Sequence, residues 1–595
     1  MGLHSSMKRS HASFCEEIKV KETVNQSVHA SRRNALPKYT IGIDFGTLSA
    51  RAVLVDVRDG QVHTQSEFFY PHGVMEASLP DGTPLGLDWA LQHPRDYLDS
   101  LKSLIPDLLI SGGIHPEDVI GIGTDVTAST VFPIRADGTP LCFLKEYERH
   151  PHAYAKLWKH QAAQDKAGQI TALAAARKEG WLQDYGGKVS ATWLLPKVWE
   201  LLEQDPGLYA AMDHYIEASD WIVLQLCGVL TRNECAAGYK SLYSSRNGYP
   251  SKDFLKSLDP GLENLTNEKL SGPVFPTGSR AGGLTRDMAA MLGLKEGTAV
   301  AVGMVDAHAS VLGAGITQPG EMLSILGTSG CHIMLGKTMR SVPGICGVVE
   351  NGVMTGFTAY EAGQVCYGEH FAWLAEHFIP PDYHQEMKAG NLSMHELLSE
   401  KASKLRPGES GLLALDWWNG NRSVLVDSDL SGLLIGLTLG TRAEDVYRAL
   451  LEAAAFGARR IIDNYRKHGV KIDSMCAMGG ISQKNPLAMQ IFADVINMPI
   501  RVPATTQGSA LGSAILGAAA AGIDHGGYDD LPEAVQRMGM RENLLYHPRA
   551  DSASIYSSLY REFELLHDYF GRGGNDVMKR LKIIKKMVHS QAKAV

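Results

Sequence analysis

Two short passages of this chain, Phe45-Gly46-Thr47 and Leu326-Gly327-Thr328, have the same form: a β-rich run, a Gly-Thr turn, and a second β-rich run. They lie 281 positions apart (46 to 327) in a chain of 595 residues. One such turn constrains little. Its recurrence after nearly half the chain predicts two lobes, each built on a hairpin of the same kind. Gly-Thr is a common dipeptide, so coincidence stands beside duplication at this point. The length agrees with more than one core, because single domains run to about 100–200 residues.

The local patterns fit that plan. Tyr39–Phe45, Ala52–Val57 and Val62–Phe69 read as three antiparallel strands, with a tight turn at Asp59-Gly60. Val119–Thr124 reads as a further buried strand, and helical patterns dominate from about 150 to 260. A second block is expected to begin near Ala299, with strands at Glu321–Leu326 and Cys331–Leu335. Arg442–His468 reads as a helix with a Thr441/Glu444 capping box and Gly469 as its stop. Val470–Met478 reads as a strand, Asn485-Pro486 opens the next helix, and a small-residue helix ends near Ala521. Strand–helix alternation of this kind means an α/β lobe.

Several common chemistries lack their motifs. There is no G-x-x-x-x-G-K-[ST], no complete G-x-G-x-x-G, no H-E-x-x-H and no G-x-S-x-G. The residues left to carry chemistry begin with Asp44-Phe45-Gly46-Thr47. Gly46 lets the backbone come close to a ligand, and Thr47 offers N–H and O–H donors for a phosphate nest. A carboxylate beside such a nest repels phosphate unless a cation lies between, and Mg²⁺ takes one or two carboxylates plus phosphate oxygens. The competing reading is an Asp-stabilised turn. Gly327-Thr328-Ser329 offers a second nest. Gly479-Gly480 gives bare backbone for a flat base, and Asn485 serves as helix cap, nucleotide contact or both. Asp306, after the strand-like Val302–Val305, reads either as a helix cap or as a general base for an attacking hydroxyl.

Together these segments resemble the FGGY carbohydrate kinases, a branch of the actin-like ATPases, over about residues 39–555. The resemblance implies an α/β fold of two actin-like (ribonuclease H-like) lobes with an ATP and sugar cleft between them. It implies a sugar-binding lobe over 39–300, a nucleotide-binding lobe over 301–555 and a helical tail over 556–595. Gly46, Thr47, Gly327, Thr328, Gly363, Gly479, Gly480 and Asn485 are the implied ATP contacts, Asp44 the implied Mg²⁺ ligand and Asp306 the implied catalytic base. Within the family, His93–Tyr97, Gly123–Thr130, Leu157–His160, Ala236–Lys240 and Tyr360–Gln364 are most similar to the branch acting on ribulose. There, positions matching Ala128, Lys240, Asp306 and Glu361 line the sugar pocket. The implied reaction is phosphorylation of ribulose, in the L-series, at its 5-hydroxyl, as in arabinose catabolism. Xylulose or a related sugar is the neighbouring alternative, and an ATP-gated binding protein the more distant one. One departure is His160, where many relatives carry Asp in a Trp-x-Asp pattern.

Composition bears on partners. A net charge of −8 argues against a nucleic-acid partner. No apolar run spans a membrane, and eight scattered cysteines without a C-x-x-C pair fit a reducing, cytoplasmic setting. His150, His152 and His160 read as surface histidines rather than a metal set. A homodimer is compatible with the sequence. Residues 1–38 read as a disordered leader, with organelle targeting open after Lys19. The basic, amphipathic Val577–Val588 is expected to pack on its own domain, with membrane or partner binding as the alternative.

Overall fold

A computed structural model describes residues 37–504, 507–540 and 543–592, so most of the expected leader lies outside the described residues. Two seven-stranded mixed sheets organise the chain. The first holds β1 (Tyr39–Phe45), β2 (Ser49–Asp56), β3 (Val62–Phe69), β4 (Val119–Val126), β5 (Arg280–Gly283), β6 (Ala299–Ala301) and β7 (Met304–Val305). Its order is β5-β6-β4-β1-β2-β3, with β7 also pairing β4. The second holds β8 (Glu321–Leu326), β9 (Gly330–Gly336), β10 (Gly347–Glu350), β11 (Thr358–Gln364), β12 (Ser474–Met478), β13 (Ile500–Pro503) and β14 (Asn543–Tyr546), in the order β10-β11-β9-β8-β12-β13-β14.

The two sheets repeat one plan. β1 pairs antiparallel with β2 and parallel with β4, and β2 pairs antiparallel with β3. β8 pairs antiparallel with β9 and parallel with β12, and β9 pairs antiparallel with β11. The Gly-Thr turns occupy the same place in each, between the first two strands, so duplication accounts for the recurring motif. Alternation explains the edge: β3 exposes every second residue, whereas β1 is buried almost throughout. A strand covered on both faces loses the period of two that marks a half-buried one.

Five helices matter for the site. They are α1 (Glu234–Ser241), α2 (Asp306–Gly313), α3 (Ala443–Lys467), α4 (Pro486–Ile496) and α5 (Gly508–Ala521). α5 lies late in the chain yet packs on β1 and β4 of the first sheet and against α2. Its small residues permit this. A Cβ on Gly42 of β1 would meet the Ala510 carbonyl oxygen at 1.9 Å, and one on Gly123 of β4 would meet that of Ser513 at 1.9 Å. The two helices touch backbone to backbone as well: a Cβ on Gly512 would meet the Ala309 oxygen at 1.9 Å.

Several expectations are corrected. Ala299–Ala301 does not open the second block; with Met304–Val305 it pairs with β4, so the second sheet starts at Glu321 and a boundary at 300/301 would cut the first sheet. The cap of α3 is shifted by one residue: Asp445 accepts from the Arg442 N–H at 2.8 Å, while Glu444 instead takes the Tyr383 hydroxyl. The strand before Gly479 starts at Ser474, because the chain must first leave α3 through Gly469 at φ 77°. The terminal helix α7 (Val577–Ala592), after the long α6 (Ala550–Gly571), is tied to the second lobe by Lys579 to Asp427 at 2.7 Å and by Lys582 donating to the Ser428 oxygen at 2.5 Å. Met578 is buried, but Leu581, Ile584 and Val588 are 59%, 51% and 57% exposed. No helix among the described residues is long and apolar enough to cross a membrane.

Candidate active site

The two Gly-Thr turns border one cleft of about 600 Å³, although Gly46, Gly327 and Thr328 are not themselves among its lining residues. Thr47 lines it from the first lobe and Ser329 from the second, with Ala128, Lys240, Asp306 and Glu361 between them. That volume lies within the 300–1,000 Å³ usual for small-molecule sites.

Each turn is braced so that its carbonyls are occupied. The Gln92 amide donates to the Thr47 and Gly46 oxygens at 2.7 and 3.3 Å, and the Tyr97 hydroxyl holds the Gln92 oxygen at 2.6 Å. In the second turn, backbone N–H groups of Tyr367 and Gly368 donate to the Thr328 and Gly327 oxygens at 2.9–3.0 Å. An anion site needs donors presented and acceptors withdrawn. The same outcome is reached by a side chain in one lobe and by backbone in the other. The indole of Trp158 donates to Thr47 Oγ1 at 3.1 Å, closing one side of the first turn.

Carboxylates gather beside that turn. Asp44, the penultimate residue of β1, lies opposite Asp125 of β4. Burial raises the pKa of both, and in Asp125 the neighbouring Asp44 adds to the effect. Asp125 Oδ2 accepts from the Ser513 hydroxyl at 2.5 Å, while its buried Oδ1 has no hydrogen-bond partner. Two adjacent carboxylates, Asp125 fully buried with an unmatched oxygen and Asp44 partly buried, form a donor set that suits a hard divalent cation. Among the described residues, no three His, Cys, Asp or Glu side chains form a complete ligand cage. Mg²⁺ does not need one, since it retains water and phosphate oxygens.

Asp306 is the first residue of α2, not its cap; Val305 holds that position and offers no side-chain bond. One Asp306 oxygen accepts from the Ala307 N–H at 2.7 Å. Burial, then the charge of Asp44, pushes its pKa up to about 7. A carboxylate held there is matched to proton transfer near neutrality.

The floor of the cleft joins the lobes. Lys240, on α1 of the first lobe, donates to Glu361 Oε2 of β11 at 2.8 Å, and Arg422 donates to Oε1 at 2.9 Å. Burial would raise the Glu361 pKa, but Lys240, Arg422 and His308 outweigh it and hold it at about 2. The far wall, Thr127–Thr130, carries Ala128 and turns through Ser129 at φ 54°. The buried Lys197 ammonium fixes it by donating to the Ser129, Leu157 and Lys156 oxygens at 2.7, 2.8 and 3.3 Å. One ammonium therefore ties the Ala128 loop to the Trp158 turn.

Other expected positions fall elsewhere. Gly363 lies under Arg422, where a Cβ would sit 3.0 Å from that side chain, and its N–H donates to Ser423 Oγ at 3.2 Å. Its backbone is covered by Arg422 and Ser423, on the Glu361 side of the cleft. Gly479, Gly480 and Asn485 follow β12, outside the residues lining the cleft. Gly479 has φ 98° and packs on Leu326, whereas a Cβ on Gly480 would meet nothing within 4 Å. Asn485 caps α4 by accepting from the Ala488 N–H at 3.0 Å, and its amide donates to the Tyr447 hydroxyl at 3.2 Å. The histidines expected at the surface are partly corrected: His152 and His160 are buried. His160 accepts from the Ala90 N–H at 3.3 Å and meets Glu200 at 3.1 Å, behind the cleft rather than in it.

Gln92, Asp125, Lys197, Arg422 and His308 were not singled out by sequence. Lys197 had a signal: it shares a helical face with Leu194 and Leu201, so its ammonium had to be buried. Arg422, in the irregular passage after Trp417, had none.

Two family models match the chain: the N-terminal domain of the FGGY family of carbohydrate kinases over residues 39–313, and its C-terminal domain over 322–521. The gap between them agrees with the sheet boundary seen here. A ribulokinase of Geobacillus thermodenitrificans is 51% identical over 548 residues, covering 92% of this chain and 97% of the relative. A ribulokinase of Halalkalibacterium halodurans is 50% identical over 553 residues, covering 93% and 98%. The solved xylulose kinase of Rhodospirillum rubrum superposes with a TM-score of 0.71 at 24% identity, covering 89% of this chain and 98% of that one. At that identity the likeness speaks for the fold.

Proposed function

Because the chain belongs to the FGGY family of carbohydrate kinases, we propose that it transfers the γ-phosphate of ATP to the 5-hydroxyl of ribulose, in the L-series, giving ribulose 5-phosphate. The observation that carries the reading is the single cleft that brings the Thr47 turn, the second lobe's Ser329 and Asp306 together. The choice of sugar is supported by the 50–51% identity to the two ribulokinases over nearly their whole lengths.

In this reading the braced turns hold the triphosphate from opposite lobes, with adenine against the open face of Gly480 and near Asn485. Asp44 and Asp125 would hold Mg²⁺, whose charge offsets the repulsion between these carboxylates and phosphate. Lys240 donates to the keto or hydroxyl oxygens of the sugar. Glu361 accepts from neighbouring hydroxyls, and Ala128 leaves room for the carbon chain. Asp306 accepts the proton of the 5-hydroxyl as its oxygen attacks the γ-phosphorus in line. Closure of the lobes excludes water that would otherwise take the phosphoryl group. The seven described cysteines are free thiols, in keeping with a cytoplasmic enzyme.

The test is ADP release measured over a panel of pentuloses and with no sugar. Highest kcat/KM on L-ribulose is the expected result. A lead for xylulose would move the activity to the neighbouring sugar, and undiminished ATP turnover without sugar would point to an ATP-gated binding protein.

A further inference from the structure

Among the described residues lining the cleft, the buried side-chain polar atoms without a hydrogen-bond partner belong to Ser129 and His308. His308 leaves both ring nitrogens unmet although its side chain is 1% exposed. An unmatched buried polar group costs about 1–3 kcal/mol, so a histidine retained purely for packing is a poor choice where Phe or Leu would fill the space. Burial drives its pKa down to about 3, so the ring is neutral and offers one donor and one acceptor. The ring rests on Tyr239 of α1, with centroids 4.2 Å apart, which fixes its plane. Its Nε2 stops 3.7 Å from Glu361 Oε2, beyond hydrogen-bond reach.

That gap has a chemical meaning. Two polar atoms 3.7 Å apart can both reach one oxygen seated above them at about 2.8 Å from each. The oxygen must donate to the carboxylate and accept from the imidazole N–H, which a hydroxyl does and a carbonyl does not. We propose that His308 is a specificity-determining residue of the sugar pocket, and that its Nε2–H donates to a secondary hydroxyl of the bound ketopentose that in turn donates to Glu361. This deepens the sugar-kinase reading and rests on it. Inverting or deleting that hydroxyl leaves both His308 and Glu361 short of a partner, which is how a polar site rejects a close analogue.

The test compares the full-length chain with His308→Phe and His308→Gln on L-ribulose, its C3 epimer and its 3-deoxy and 4-deoxy analogues. His308→Phe keeps ring volume and removes the donor; the Gln amide can replace Nε2. His308→Phe should raise the sugar KM and lower kcat/KM on ribulose roughly 3- to 10-fold, as expected for one hydrogen bond between neutral groups. The ATP KM should hold within about threefold, His308→Gln should recover most of the loss, and one deoxy analogue should become insensitive to the substitution. An equal loss on every sugar, or no loss on any, would overturn the proposal. If His308→Phe does not fold, His308→Leu, which also lacks the donor, is judged the same way: a loss confined to sugars that carry the hydroxyl upholds the proposal, and an equal loss on every sugar, or none, overturns it. A parent enzyme that turns over no ketopentose removes the sugar-kinase reading and this inference together, whereas a uniform loss removes only the inference.

Discussion

As the proposed general base, Asp306 would set the pH behaviour of this enzyme. A general base works when deprotonated, and burial with the neighbouring Asp44 places this carboxyl's pKa at about 7. kcat/KM for the sugar should therefore fall as pH drops below about 7, the acid limb vanishing in Asp306→Asn. That variant should bind ATP normally and lose roughly 10²-fold or more in kcat, the usual size of a general-base contribution; near-normal turnover would remove Asp306 from the role. For stability the sign is opposite. A raised carboxyl pKa favours the neutral form in the folded chain, so Asp306 lowers stability as pH rises from its ordinary value of 3.8 towards 7. Lys240→Met should raise the sugar KM by about 10- to 100-fold while the ATP KM holds, by the worth of a charged hydrogen bond. Glu361 keeps Arg422 in that variant, so the fold survives. Asp306 stood out in the sequence as a lone carboxylate at a strand-to-helix turn, whereas Lys240 and Glu361 were pointed to only by the family resemblance. Arg422 and His308 could not be read from the sequence, since what marks them is a partner 61 or 53 residues away: the hydrogen bond of one to Glu361 and the failure of the other to make one.

At the level of elements, strands and helices were legible wherever a local signal marked them. The β1–β3 meander follows from β-rich runs joined by tight turns, with alternation showing in β3, and α4, opened by Asn485-Pro486, follows from capping. The fate of Ala299–Val305 was not legible, because a short apolar run carries no mark of which sheet it joins. α5 hid a larger surprise: its glycines are needed for contact with strands nearly 400 residues earlier, such as Gly123 against Ser513. Gly512→Ala should lower stability by about 1–3 kcal/mol or more in thermal unfolding, since the added methyl meets the backbone of α2, which has no rotamer to yield. Gly480→Ala should leave the melting temperature within the range of a neutral surface change, because its added methyl meets open space. If adenine lies there, the ATP KM should still rise; an unchanged KM would put the base elsewhere.

The whole molecule is two copies of one sheet plan facing a cleft, and Lys240 and Glu361 pair across it. In the proposed reading, sugar bound between them would touch both lobes and report on their approach before chemistry begins. Saturating L-ribulose should therefore raise the melting temperature by mass action, a shift that Lys240→Met should reduce. α5 leads to a last consequence. A helix made near the end of synthesis supplies the roof of the sheet made first. A fragment ending at residue 313 would leave the chamber of β1 and β4 uncovered, however faithfully it followed the family's own dividing line. Such a gene can be split in sequence without yielding two proteins that stand alone; the first product would have to wait, unfinished, for a piece that only the second contains.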